Sequence, residues 1–411
     1  MKKIMVKIIA FFSHHHFSRY VVEFFLYIIG FIALYYLLPG EVSDNVIGVV
    51  IGFLSSTILL RLFRLVAGGL EDVLKINYDT DKLLEIYSGC PDYRKTLESN
   101  GTKVEFAYAD VLVNDDYEFT IVDAPDKFME LDGFIEENYA QIFSAHSNSA
   151  KTNLTTIRLD RFDAETKTFY LSRSTYFNHL VTNRAVDFPL FEGVSLRTVY
   201  EYGPRISSLE DSKMSNHIGI NALVFLSDGR LLVPRRKGSA TISKNKITSS
   251  IAVMLNFPSE SQNDPQNAEI TVEYLLHGNI IKNLSDRVKL PSDAIDPEKV
   301  EVKFLGFGQN IYEGGKPQFY FAVTLKEIDT RRYFEKRSEF IESQKKEGKK
   351  DVIDVDKTMY VADYSSFRYV KSLVKFNVYN KNGKKSKIKA GYERSYLCNL
   401  WHFERFKEQG R

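Results

Sequence analysis

The chain has 411 residues, a formal net charge of +2, 44% hydrophobic and 26% charged residues. That length gives room for two or three domains with ordinary cores, and the near balance of charge excludes a global polyelectrolyte role, so basic residues matter only where they cluster. Two cysteines, Cys90 and Cys398, offer neither a disulfide framework nor metal-ligand spacing, which suits a reducing compartment.

Residues 1–19 are basic, with Lys2, Lys3, Lys7 and Arg19. His14, His15 and His16 point in different directions on any helix and read as a polar collar rather than a metal site. Residues 20–38 (YVVEFFLYIIGFIALYYLL) are near-continuously apolar and long enough to cross a bilayer, and residues 46–66 form a second such stretch. The short link between them predicts a transmembrane helical hairpin over 20–67. That link carries Glu41 and Asp44 but no Lys or Arg, so the positive-inside rule places both termini in the cytoplasm. Glu23 falls at the depth of Arg61 and Arg64, where an ion pair lowers the cost of burial, either as a staple or in a gate. Gly48 and Gly52 give a small-residue face for close packing or self-association.

Residues 68–150 predict a connecting region: a joint at Gly68-Gly69, an amphipathic helix over 80–97 interrupted near 89–91, strand-like alternation over 103–122, and a helix over 132–143. A ligand-sensing domain is expected over 151–330. Near its start, Tyr176, Asn178, Asn183 and Arg184 are residue types that bind nucleotides, an aromatic face for a base with amides and a guanidinium for polar edges and phosphate. Each is equally ordinary in a loop. Residues 220–226 are an apolar run, Ser227-Asp228-Gly229 a turn, and 230–234 a second strand, which together predict a β-hairpin.

Arg235, Arg236, Lys237, Lys244 and Lys246 follow without one acid among them, and the intervening small residues Gly238, Ser239, Thr241 and Ser243 let the backbone approach an anion. Solvated surface charge is the alternative. A strand is expected over 247–253, and further strands within 303–325. Residues 331–411 form a charged C-terminal extension packing on the sensor domain, helical over 331–350. Its stretch 381–389 (KNGKKSKIK) has five lysines and reads as a solvated hairpin loop or as a contact for anionic headgroups or ligand.

The strand, Asp-Gly turn, second strand and Arg-Arg pair within 223–237 resemble the opening of a Nudix domain. The resemblance implies a cytosolic α+β domain, a Nudix-like mixed β-sheet flanked by helices, joined here to the two-helix transmembrane hairpin. It also implies a following helix that bears the run Arg-Glu-x-x-Glu-Glu, whose carboxylates hold divalent cations against a pyrophosphate. That run is absent from 259–290. Glu269 and Glu273, spaced i,i+4, are the metal candidates that remain, with plain surface carboxylates as the alternative.

Two spans joined to such a domain are similar in architecture to the transmembrane Nudix effectors of bacterial CBASS anti-phage systems. That resemblance implies an inner-membrane protein whose domain binds a cyclic oligonucleotide through the Arg235 and Lys246 region with Tyr176. Binding would drive homo-oligomerisation and disrupt the bilayer. Sensing of this kind needs no cofactor and no nucleic-acid polymer. Magnesium belongs to the alternative, a membrane-anchored Nudix hydrolase of a nucleoside diphosphate derivative.

Overall fold

The computed structural model describes residues 75–113, 117–146, 152–191, 193–236, 245–258, 269–346, 359–370 and 372–410. In chain order they form α1 (Thr80–Ile86), the hairpin β1 (Arg94–Ser99) and β2 (Thr102–Ala107), β3 (Ala109–Val113), β4 (Thr120–Phe128), α2 (Gly133–Glu137) and α3 (Tyr139–Ser144). Next come β5 (Thr155–Asp163), β6 (Thr168–Thr175), α4 (Tyr176–Val181), α5 (Leu196–Tyr200), β7 (Gly219–Leu226), β8 (Leu231–Pro234), β9 (Lys246–Ile247) and β10 (Ile251–Met254). The remainder is α6 (Asn279–Val288), β11 (Val300–Asn310), β12 (Lys316–Leu325), α7 (Thr330–Lys346), β13 (Met359–Val370), β14 (Leu373–Tyr379), β15 (Lys385–Tyr392) and α8 (Arg394–Glu408).

β7 is buried at every position. A continuous apolar run has no face to give to water, so it lies between two cores and takes the parallel partner that such strands favour, β12, in register from Gly219–Gln318 to Leu226–Leu325. β12 pairs with β11, and β11 carries β3 at the sheet edge. Their close approach needs Gly306, whose φ is +126° and where a Cβ would lie 2.1 Å from the Leu112 carbonyl oxygen.

On the other side of β7, the turn at Gly229 (φ +77°) returns the chain as β8, followed across the sheet by β13, β14, β15 and β9. Backbone bonds Arg236 N to Lys246 O at 2.9 Å and Thr248 N to Pro234 O at 3.2 Å bring the end of β8 onto β9. Strands β8, β13, β14, β15 and β9 thus close into a ring. The strand expected over 247–253 is split: β9 joins β15 while β10 joins β7. The buried Thr248-Ser249-Ser250 segment causes the break, with the Ser250 hydroxyl accepting from Val224 N at 2.8 Å and donating to Leu232 O.

One core packs Ile220, Ala222 and Val224 of β7 against Ile280, Leu284 and Val288 of α6 and against the small β4–β6–β5 sheet. The other packs Leu223 and Phe225 against Leu397, Leu400 and Trp401 of α8 and continues into the ring. The expected helix over 80–97 ends at Ile86, and 94–97 instead belong to β1. There the side chains alternate between exposed and buried, with Leu97 inward, a period of two rather than 3.6.

Among the described residues no helix is long and apolar enough to cross a membrane. The longest, α7 with 17 residues, is rich in charge along its whole length. The expectation of a transmembrane hairpin, and with it of a multi-pass inner-membrane protein, is therefore withdrawn, and the fold class is corrected to α+β built on a large mixed sheet. Residues 20–38 and 46–66, with Glu23, Gly48, Gly52, Arg61 and Arg64, lie outside the described residues.

Candidate ligand-binding site

Three turns, far apart in sequence, meet at one polar seam. The first follows α4, whose N-cap Thr175 accepts from Asn178 N at 3.1 Å. After α4 the short turn Asn183–Ala185 is pinned by the buried Asn183 amide, which donates to Glu313 O at 2.8 Å and accepts from Asn216 N at 2.9 Å. The second is Ile311–Glu313, capped by Asn310 (Tyr312 N to Oδ1, 3.1 Å) and closed by Gly314 and Gly315, both at positive φ. The third is the passage from β15 into α8, where Glu393 is the N-cap residue and Arg394 the first helical residue.

These turns deliver charge to one place. Arg184 donates to Glu313 at 2.9 Å, and Lys316, the first residue of β12, lies 3.4 Å from the same carboxylate. Arg394 donates to Tyr78 O at 3.5 Å, and its guanidinium lies 5.6 Å from the centre of the Tyr312 ring. Lys246 Nζ sits 5.3 Å over the Tyr78 ring, which is stacked on Tyr312 at 6.2 Å. Arg236 Nε is 3.9 Å from Glu393, beyond hydrogen-bond reach, and Glu393 Oε2 has no hydrogen-bond partner among the described residues. Cations outnumber carboxylates, and the amino end of α8 adds a positive partial charge. Arg184, Glu313 and Lys316 keep only 9–12% of their side-chain exposure.

Burial lowers the ammonium pKa of Lys316, with Glu313 only partly offsetting it, and burial does the same to Lys246 against the pull of Glu393. Glu313 is held below the usual carboxylate range: burial works to raise it, but Lys316 and Arg184 together outweigh that effect. Burial also raises the Tyr78 phenol. Beneath the seam, the His179 and His217 rings lie with centres 3.6 Å apart, tilted by 33° to one another. Burial holds both well below the ordinary histidine range, helped by the positive field of Lys316 and Arg184, so both are neutral at neutral pH.

Of the residues expected to bind ligand, Arg184, Arg236 and Lys246 line this seam, and Tyr176 acts electrostatically on Arg184. Arg235 instead donates to Asn245 O at 3.0 Å. Asn178 enters the local network through its backbone, at the cap and as acceptor for the Thr182 hydroxyl. Lys237 and Lys244 lie outside the described residues. The pair Glu269 and Glu273 does not share a helical face, because Glu269 precedes the helix, and Glu273 bonds His277 at 3.0 Å on an exposed surface. No group of three or more His, Cys, Asp or Glu placed to hold a metal ion occurs among the described residues.

Tyr78, Glu313, Lys316, Glu393, Arg394 and the histidine pair were missed. A usable signal existed: in Glu313-Gly-Gly-Lys316 two glycines tighten a turn between apolar strands and set opposite charges three residues apart. A separate surface groove of about 560 Å³ beside α8, lined by Phe225, Ala322, Thr324, Phe403 and Phe406, shares no residue with the seam. Its rim charges Lys303 and Glu301 are paired with each other at 3.6 Å.

No family model matches the chain, and no curated protein matches it. The resemblance to transmembrane Nudix effectors of CBASS systems is accordingly withdrawn.

Proposed function

We propose that the seam binds a phosphate-bearing nucleotide and that the protein responds to this ligand without turning it over. One observation carries the proposal: among the described residues, Arg184, Arg236, Lys246, Lys316 and Arg394 surround two carboxylates, Glu313 and Glu393, in a mostly enclosed place. Such an excess of positive charge is costly to hold together unless an anion joins it. Arginine forks suit phosphate oxygens, the α8 amino end suits an anion, and Tyr78 and Tyr176 offer rings to a base. Cyclic oligonucleotides, which carry several phosphodiesters and no terminal phosphate, are the ligand class we favour. A ligand of this kind drives self-association only if it binds the assembled state more tightly.

The test is thermal unfolding of the protein against a panel of cyclic and linear nucleotides, with and without magnesium and with analysis of the recovered ligand. A ligand at one hundred times its dissociation constant adds about 2.7 kcal/mol to the folded state. The expected result is a magnesium-independent shift with intact nucleotide, weakened at least tenfold in Lys246→Gln and Lys316→Gln. Nucleotide cleavage would overturn the sensor reading in favour of a hydrolase, and the absence of any shift would remove the nucleotide altogether.

A further inference from the structure

The outward face of β14 and β15 carries a second concentration of positive charge, independent of the seam. The register pairs Lys375 with Lys389, Asn377 with Lys387 and Tyr379 with Lys385, and Arg368 of β13 stands opposite Lys375. Paired residues project to the same side of a sheet, so these cations share one face. The opposite side chains, Val374, Phe376, Val378 and Ala390, are buried in the ring core. Arg368, Lys385, Lys387 and Lys389 are exposed. Arg230 joins them with its guanidinium 4.0 Å over the Tyr379 ring. Two acids among the described residues face them: Asp363 pairs with Lys385 at 3.5 Å and Asp228 with Arg230 at 3.0 Å.

The near-neutral charge of the whole chain conceals this segregation. Along a strand these residues are spaced by about 6.8 Å and across strands by about 4.8 Å. A small anion reaches two or three such groups, whereas a chain of phosphates meets the whole lattice. The tip of the hairpin, Asn380 to Lys384, offers no apolar side chain for insertion into lipid, which leaves any membrane contact to rest on headgroup charge alone. We propose that this face docks the phosphate backbone of a single-stranded nucleic acid, without reading its sequence.

The test is fluorescence anisotropy of the full-length protein with labelled DNA and RNA strands of roughly 16 nucleotides, the upper range for one small β-barrel module. Neutralising five phosphates predicts a log–log salt slope of about −3.5, so affinity drops roughly 100-fold between about 50 and 200 mM salt. The triple variant Lys375→Gln, Lys387→Gln, Lys389→Gln, at exposed or half-exposed positions, should keep its melting temperature and reduce the slope to about −1.4. Lys316→Gln in the seam should leave strand binding unchanged, which separates this face from the proposed nucleotide site. An unchanged slope in the triple variant overturns the proposal. So does lysine-dependent binding to phosphatidylserine vesicles with no binding to either strand, which would assign the face to lipid headgroups.

Discussion

Glu313 is the residue on which the electrostatics of the seam turns, and Glu313→Gln tests it without changing side-chain volume. The carboxylate sits 2.9 Å from Arg184 and 3.4 Å from Lys316, with the side chains at 9–12% exposure. Removing one partner of a buried ion pair costs about 3–5 kcal/mol, because the remaining charges stay desolvated. The slight exposure here argues for the lower end, about 3 kcal/mol, or roughly 4 °C of melting temperature for the compact unit Glu71–Arg411. Calorimetry at neutral pH, with and without inorganic phosphate, measures both the loss and its rescue. Phosphate should stabilise the variant more than the native protein, since the two cations then lack their internal partner. A variant melting within about 2 °C of the native protein would mean that solvent already screens the pair. Equal phosphate effects on both proteins would show that the anion binds elsewhere.

Burial holds the buried histidines His146, His179, His217 and His402 below their ordinary range, His146 and His402 at about 3. The folded state therefore takes up fewer protons than the unfolded chain once the pH falls below about 6.5, and stability should fall by about 1.4 kcal/mol per pH unit for each. Urea titrations between about pH 7 and pH 5 check this, and a flat profile refutes it. Ligand binding at the seam should be accompanied by proton uptake at alkaline pH, because an anion raises the lowered Lys316 and Lys246 values; calorimetric enthalpies in buffers of different ionisation heat report the number of protons. Arg197 donates to both oxygens of Asp187, to the Tyr87 hydroxyl and to the carbonyls of Ile311 and Tyr312. Arg197→Lys cannot reproduce that fork and should cost about 3 kcal/mol while weakening ligand binding through the displaced Glu313 turn, read by paired denaturation and binding curves. Gly306→Ala should cost roughly 3 kcal/mol or more, since both its φ and the Leu112 carbonyl oppose a side chain, and hydrogen exchange should show β3 released first.

The hairpin of β7 and β8 was legible because its signals are local: a continuous apolar run, Asp228-Gly229 and a second run. The division of 247–253 was not, because a hydroxyl that takes over a ladder bond, as Ser250 does between β7 and β8, has no signature in hydropathy. Arg184, Arg236 and Lys246 were visible as residue types and as a basic cluster. Their partners were hidden because Tyr78, Glu313 and Glu393 come from segments separated by 235 and 80 residues and meet only through the tertiary fold. Residues 359–392 are strands of the main sheet, and their alternation of Val374, Phe376 and Val378 with polar residues was present in the sequence. The lysines of 381–389 drew notice to solvent and away from that period. The resemblance of 223–237 to another family lay in a short strand–turn–strand pattern, which any buried hairpin followed by arginines can produce.

The closed ring has a consequence for how the chain is made. β8 leaves the ribosome beside β7, but its other neighbour, β13, ends at Val370, roughly 130 residues later. At about 5–20 residues per second, β8 waits about 7–25 s with one apolar edge unpaired during synthesis. Final closure waits for β15 and for α8 behind it. A nascent chain stalled before residue 359 would therefore present Leu231 to Val233 as an open template for any passing strand, and the C-terminal strands protect the hairpin from aggregation as much as they complete the sheet.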